Sequence, residues 1–173
     1  AKGRTQEIER LVARSLRAAV DLEELGPIAL NVDCDILNAD GGTRCASITA
    51  ANLALRLGVR RLIAAGVCLP KNMRPTEEQR RSGWSPPVLS EEEQMAHEMR
   101  VMEHDVAAIS VGLIDGKSYL DLDYNLDSNA DVDMNVVKVS NGAFVEVQGT
   151  GEESTYQRQE LDALLDMADI GFE

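Results

Sequence analysis

Two stretches of this chain carry side chains that could do chemistry, and they lie far apart. The first is "ADGGTR", residues 39–44. Gly41 and Gly42 let backbone amides approach an anion without a side chain in the way. Thr43 adds a hydroxyl donor, and Arg44 adds a planar fork that matches phosphate oxygens. If a helix begins at about Cys45, its N-terminus points the same way. The pattern suits phosphate, although a plain strand-to-helix connection would use the same residues. The second stretch is "DLDYNLDSNADVD", with five aspartates between 121 and 133. Asp121 and Asp123 alternate with Leu120, Leu122 and Tyr124, which fits carboxylates facing solvent. Asp127 and Asp133 fall in or beside an irregular link, where carboxylates can converge on Mg²⁺ and manage a proton. A solvated acidic loop is the competing reading.

Other motifs fail on their own geometry. Gly112–Ser118 resembles a phosphate loop but is one residue short between its glycines and runs into a strand. The stretch 121–132 opens like a calcium loop, yet places Leu126 where the sharp turn needs Gly and Val132 where the bidentate Glu belongs. His97 and His104 could share a helix face but have no further ligand at metal spacing. No GxSxG is present, and no other histidine could serve a nucleophile.

The elements that must position these residues follow from periodicity. Ile8, Leu11, Val12, Leu16, Ala19 and Val20 recur at helical spacing, predicting a helix over 5–25, capped by Thr5 and stopped at Gly26-Pro27. Arg10, Arg14 and Arg17 form a basic stripe beside it, most simply surface arginines. Ile28, Leu30, Val32, Cys34 and Ile36 alternate with polar residues, predicting a half-buried strand. Residues 46–65 read as helix. Residues 67–104 hold four of the five prolines and the only tryptophan, predicting an exposed, mobile loop followed by a short helix from about Ser90 to His104. Two hairpins follow, turning at Asp115-Gly116 and Asn141-Gly142, and a helix over 157–170 closes the chain. The order predicts an α/β (α+β) sandwich with helices covering a sheet.

Bulk properties narrow the partners. The 173 residues suit one domain, and no apolar run reaches the roughly 18 residues of a membrane span. Three cysteines without a CxxC pair are simplest as reduced thiols inside a cell. The net charge of −13 is uneven: residues 1–66 carry nine Lys/Arg against eight acids, and residues 105–173 carry three against fifteen. The front of the chain suits an anion, the back a cation.

With those residues in place, the chain resembles ribonuclease PH, the phosphate-dependent 3′-exoribonuclease family that trims tRNA precursors. The resemblance rests on "GRTQEIERLVARSLRAAVDL", "DCDILNADGGTRCASIT", "SVGLIDGKSYLDLDYNLDSNADVDMNVV" and "FVEVQGTGEESTYQRQELDALL", in the family's order. It implies a two-layer βαβ domain in a hexameric ring, a trimer of dimers, acting in the cytoplasm on tRNA precursors and other RNA 3′ ends. It assigns phosphate binding to Arg4, Thr43 and Arg44, and catalytic and Mg²⁺-binding roles to Asp127 and Asp133. Gly149 and Gly151 would serve backbone geometry. It further implies one partial domain over 1–173, lacking strands the family places earlier, with an insertion at about 68–104. Two other functions fit fewer residues: an inactive or structural ring subunit of an exosome-like complex, and a metal-dependent nuclease that uses water.

Overall fold

A computed structural model describes residues 2–151 and 154–173; Glu152 and Glu153 of the "EVQGTGEE" motif lie outside them. The chain opens with helix α1, Lys2–Ala19, which buries Leu11, Val12, Leu16 and Ala19. The expected helix over 5–25 is two helices, and Thr5 lies inside the first rather than capping it. The break has a local cause. Asp21 Oδ1 accepts the amides of Glu23 and Glu24 at 2.8 and 3.0 Å, capping a new helix, α2, Leu22–Leu25. Gly26, at φ +82°, then ends it.

The strand expected over 28–36 does not form among the described residues. Alternation selects an extended backbone, but a strand also needs a neighbouring ladder, and all four paired strands lie between residues 106 and 151. Ile28 and Leu30 instead line an apolar groove of about 640 Å³ against Ile8, Val12 and Leu16 of α1. Helix α3, Thr43–Ala64, follows and begins three residues before the expected start. Its buried stripe of Ile48, Ala51, Leu55, Val59 and Ile63 is the spine of the larger core.

Most of the loop predicted within residues 67–104 is exposed, as expected, but it is anchored to the core at a few points. Leu69 and Leu89 are buried, as are Val101 and Met102. Between them lie a 3₁₀ turn, Lys71–Met73, and two helices: α4, Glu77–Arg81, and α5, Glu91–Val101. Thr76 and Ser90 each start their helix with a reciprocal capping box. Helix α5 is clamped to α3 where Glu98 accepts from Arg60 at 2.7 and 2.9 Å, with Arg56 at 3.4 Å. The stretch around α4 and the one leading into α5 keep the expected exposure.

The sheet comprises β1, Val106–Ile114; β2, Lys117–Leu120; β3, Val132–Val139; and β4, Phe144–Gly151, in the antiparallel order β2-β1-β3-β4. Both hairpin turns fall where expected. Asp115 and Gly116 are both left-handed, at φ 50° and 73°, the conformation that a two-residue hairpin with the native twist requires. Helix α6, Tyr124–Ser128, sits in the link between β2 and β3, and α7, Arg158–Phe172, closes the chain. Val106 and Ala108 of β1 join the core of α1, α3 and α5, while Val111 and Leu113 join the core of α7. Period two thus puts Ser110 on the α3 face of β1, and the same alternation puts Asp133 and Asn135 on the α3 face of β3. The mixed helix-and-sheet class is the one expected.

Candidate functional site

The site forms where α3 begins. Gly42 is the N-cap residue in the left-handed conformation, φ +69°, and it offers no side-chain cap. The first amides of α3 therefore have no intrahelical acceptor and no cap from residue 42, and the positive end of the helix dipole lies there. Thr43 and Arg44 are the first two helical residues, both half-buried. Gly41 is required for a different reason. A Cβ there would stand 1.8 Å from the Leu122 carbonyl oxygen, so only glycine lets the acidic link press against the turn.

A second tie holds these distant segments together. Asp40 Oδ1 accepts the Tyr124 amide at 2.6 Å and its neighbour Gly41's amide at 3.0 Å. Tyr124 opens α6, which carries Asp127 exposed in the same turn. Asp133 lies half-buried on β3, in register with Gly112 and Thr150. It reaches the start of α3 electrostatically: burial first, then the Asp133 carboxylate, pushes the Cys45 thiol up to about 12, with Arg44 opposing and Asp121 adding. Asp121, at φ +54°, is held by its amide to the Ser110 carbonyl at 2.8 Å. Its Oδ1 would lie 3.9 Å from a Cβ placed on Gly42. The side chain read from sequence as facing solvent is exposed but turned toward the glycine turn.

Arg44 and Asp133 both act electrostatically on Cys45 in the first turn of α3, and Asp127 lies exposed on α6, the helix tied to the glycine turn through Asp40 and Tyr124. Arg4 is exposed in the first turn of α1, one turn before Glu7, which approaches Arg44 at 3.7 Å. Glu7, Asp40 and Ser110 were given no part in the site from the sequence, and Asp121 was read there only as facing solvent. Ser110 is 3% exposed beside Gly42, with a hydroxyl oxygen that has no hydrogen-bond partner among the described residues. Gly149 and Gly151 keep their geometric role: a Cβ on Gly149 would stand 2.8 Å from Met134 Cε, and one on Gly151 2.1 Å from the Ser154 carbonyl oxygen. His97 and His104 do not share a helix, and His97 is buried against Cys68, 3.7 Å from Nε2 to Sγ.

Among the described residues, no group of three or more His, Cys, Asp or Glu is placed to hold a metal ion. A metal at the α3 turn would have to rest on one or two carboxylates. That suits Mg²⁺, which commonly takes one or two carboxylates and completes its shell with water and phosphate oxygens. Chemically, a helix start carrying Thr43 and Arg44 is of a kind that suits an anion.

Comparison with known proteins agrees with this architecture. Residues 1–58 match the model of the 3′ exoribonuclease family, domain 1, and residues 104–171 match domain 2 of that family. The chain is 47% identical over 170 residues to ribonuclease PH of Corynebacterium efficiens and 48% identical over 169 residues to that of Rhodopirellula baltica. These alignments take in 98% of this chain and 58% and 59% of the relatives, so the chain spans under two thirds of their length. Among solved structures, an archaeal exosome core superposes with a TM-score of 0.57 at 17% identity, over 96% of this chain and 60% of that one. An Archaeoglobus fulgidus exosome with RNA bound to the active site gives 0.56 at 18% identity, over 96% and 61%. At such identity these two report the fold.

Proposed function

The chain belongs to the 3′ exoribonuclease family of ribonuclease PH, and on that footing we propose that it carries the phosphate and metal side of a phosphorolytic 3′–5′ exoribonuclease site. The observation that carries this reading is the uncapped start of α3, with Arg44 in its first turn and Asp133 within electrostatic reach. An enzyme that cuts with phosphate must bind a second anion beside the RNA backbone, and an N-terminus without its own cap is suited to it.

In this reading Arg4, Thr43, Arg44 and the first amides of α3 hold inorganic phosphate in line with the last phosphodiester. A phosphate oxygen bonds to that phosphorus and the bond to the preceding 3′-oxygen breaks. The 3′-oxygen takes a proton and leaves as the new hydroxyl end. The released nucleotide keeps the incoming phosphate and is a nucleoside diphosphate. Holding the two reactants in line supplies most of the protein's contribution, since attack becomes effectively intramolecular. Asp127 and Asp133 are the residues that would hold Mg²⁺, which when bound neutralises charge gathering on the phosphoryl oxygens. The attacking hydrogenphosphate itself carries the proton that the departing 3′-oxygen requires.

The substrates proposed are tRNA precursors and other RNA 3′ ends, and the assembly a hexameric ring of three dimers. The family relationship supports both. The decisive test is product chemistry. With a 3′-extended RNA and the native assembly, shortening should require added phosphate and yield nucleoside diphosphates. Shortening at full rate without phosphate, yielding monophosphates, would identify a hydrolase and overturn the reading.

A further inference from the structure

Resting on that reading of the site, we propose that Glu7 is a positioning residue for phosphate, holding Arg44 from the neighbouring helix. Arg44 Nη2 stands 3.7 Å from Glu7 Oε1. That separation exceeds a hydrogen bond, so the pair is coulombic and leaves the terminal N–H groups for another acceptor. Glu7 is itself fixed, because its Oε1 accepts from Gln148 Nε2 of β4 at 2.7 Å. Three elements therefore meet at one guanidinium: α1 through Glu7, β4 through Gln148, and α3, which carries Arg44.

The inward side of the same group explains the arrangement. Arg44 Nε is sealed from solvent with no hydrogen-bond partner among the described residues, while the side chain as a whole is 26% exposed. With Nε enclosed, the edge left for an anion is Nη1–Nη2, which can grip phosphate with two parallel bonds. A long side chain left unguided must be ordered when phosphate arrives, and that ordering weakens binding. Glu7 orders it in advance. Its own repulsion of phosphate works in the opposite direction, but the carboxylate is 46% exposed and turned to Gln148, so solvent and salt screen it. Ordering outweighs repulsion.

The test is Glu7→Gln in the native assembly, which preserves size and an acceptor for Gln148 while removing the charge. The phosphate concentration for half-maximal rate should rise roughly ten-fold, as expected for loss of one orienting charge partner. The rate at saturating phosphate and the RNA concentration dependence should stay within about two-fold, since neither is the step that Glu7 orders. Gln148→Met removes the tether without touching charge, and should shift the phosphate requirement in the same direction by less. In an Arg44→Lys background Glu7→Gln should add little, because the fork it orients is gone. An unchanged or lowered phosphate requirement in Glu7→Gln, while Arg44→Lys still raises it, would overturn the positioning role and leave the reading of the site intact. Activity without any phosphate requirement would instead sink the reading itself.

Discussion

Asp40 accepts the amide of Tyr124 at 2.6 Å, and with that bond a carboxylate in the glycine turn anchors an acidic link 84 positions later in the chain. Neither residue is among those assigned to the chemistry. Together they decide whether the basic and acidic sides of the site face each other at all.

Substituting Asp40 separates this tie from any direct charge effect. Asp40→Asn keeps an oxygen that can accept both amides, and should retain most activity. Asp40→Ala leaves the Tyr124 and Gly41 amides without that acceptor, at a cost of about 1–3 kcal/mol at this exposed site. It should lower turnover at least ten-fold while the melting temperature falls by only a few degrees. Equal activities for the two variants would show that the tie is dispensable.

Gly41 and Gly42 should respond differently to alanine. At Gly41 the new Cβ would stand 1.8 Å from backbone oxygen of Leu122, so the acidic link must move away and activity should be lost. At Gly42 there is room, the nearest atom being 3.7 Å away, and the cost is the left-handed backbone alone, about 1–2 kcal/mol of stability. Denaturant titration beside phosphate kinetics separates the two. A Gly42→Ala variant more damaged in turnover than Gly41→Ala would contradict the close approach described.

Much of this was legible in the chain and some was not, for identifiable reasons. The hairpin turns at Asp115-Gly116 and Asn141-Gly142 were readable because their dipeptides have few other uses. The turn into a helix at 41–44 was readable because Gly-Gly before a run of helix formers leaves few other uses. Residues 28–36 misled because alternation reports an extended backbone and a two-faced environment, not the presence of a pairing neighbour. The anchoring of the otherwise exposed loop within residues 67–104 was hidden because it depends on a few buried residues, such as Leu69 and Leu89, among prolines and charges that locally read as loop. Glu7 and Asp40 were hidden because an acidic residue's partner across the fold leaves no trace in spacing.

Docking of α5 should weaken in acid. His97 is fully buried, and burial, then the Arg100 charge, holds it below its ordinary value of 6.5, with Glu24 opposing and Arg74 adding. A depressed histidine binds its proton more readily unfolded, so its penalty is absent above that value and grows as pH falls below it. Glu98 acts in the same direction in a lower range. Its bonds from Arg60 hold it below the ordinary 4.5, so its stabilisation is present at neutral pH and lost as pH falls through the acidic range. Protection of the α5 amides, taken as exchange relative to the intrinsic base-catalysed rate at each pH, should therefore fall between pH 7.5 and 5.5, and His97→Phe should flatten that change. Protection independent of pH in the unmodified protein would refute it.

The carboxylates offer the sharpest separation of chemistry from structure. Asp133→Asn changes no volume on β3, and the pairing of Asp133 with Gly112 and Thr150 runs through the backbone, so the sheet and the assembly should persist. Asp127 is exposed on α6, so Asp127→Asn should cost even less stability. Both remove charge from the proposed Mg²⁺ site, and each should reduce turnover by at least a hundred-fold with RNA affinity little changed. Turnover alone cannot tell a lost metal from a lost proton donor, so Mn²⁺ binding followed by electron paramagnetic resonance is the second readout. Loss of Mn²⁺ binding together with turnover assigns the metal role. Retained binding with lost turnover assigns the proton to that carboxylate instead. If both variants kept normal rates, the acidic link would be a solvated loop after all, and the charge division along the chain would need another cause.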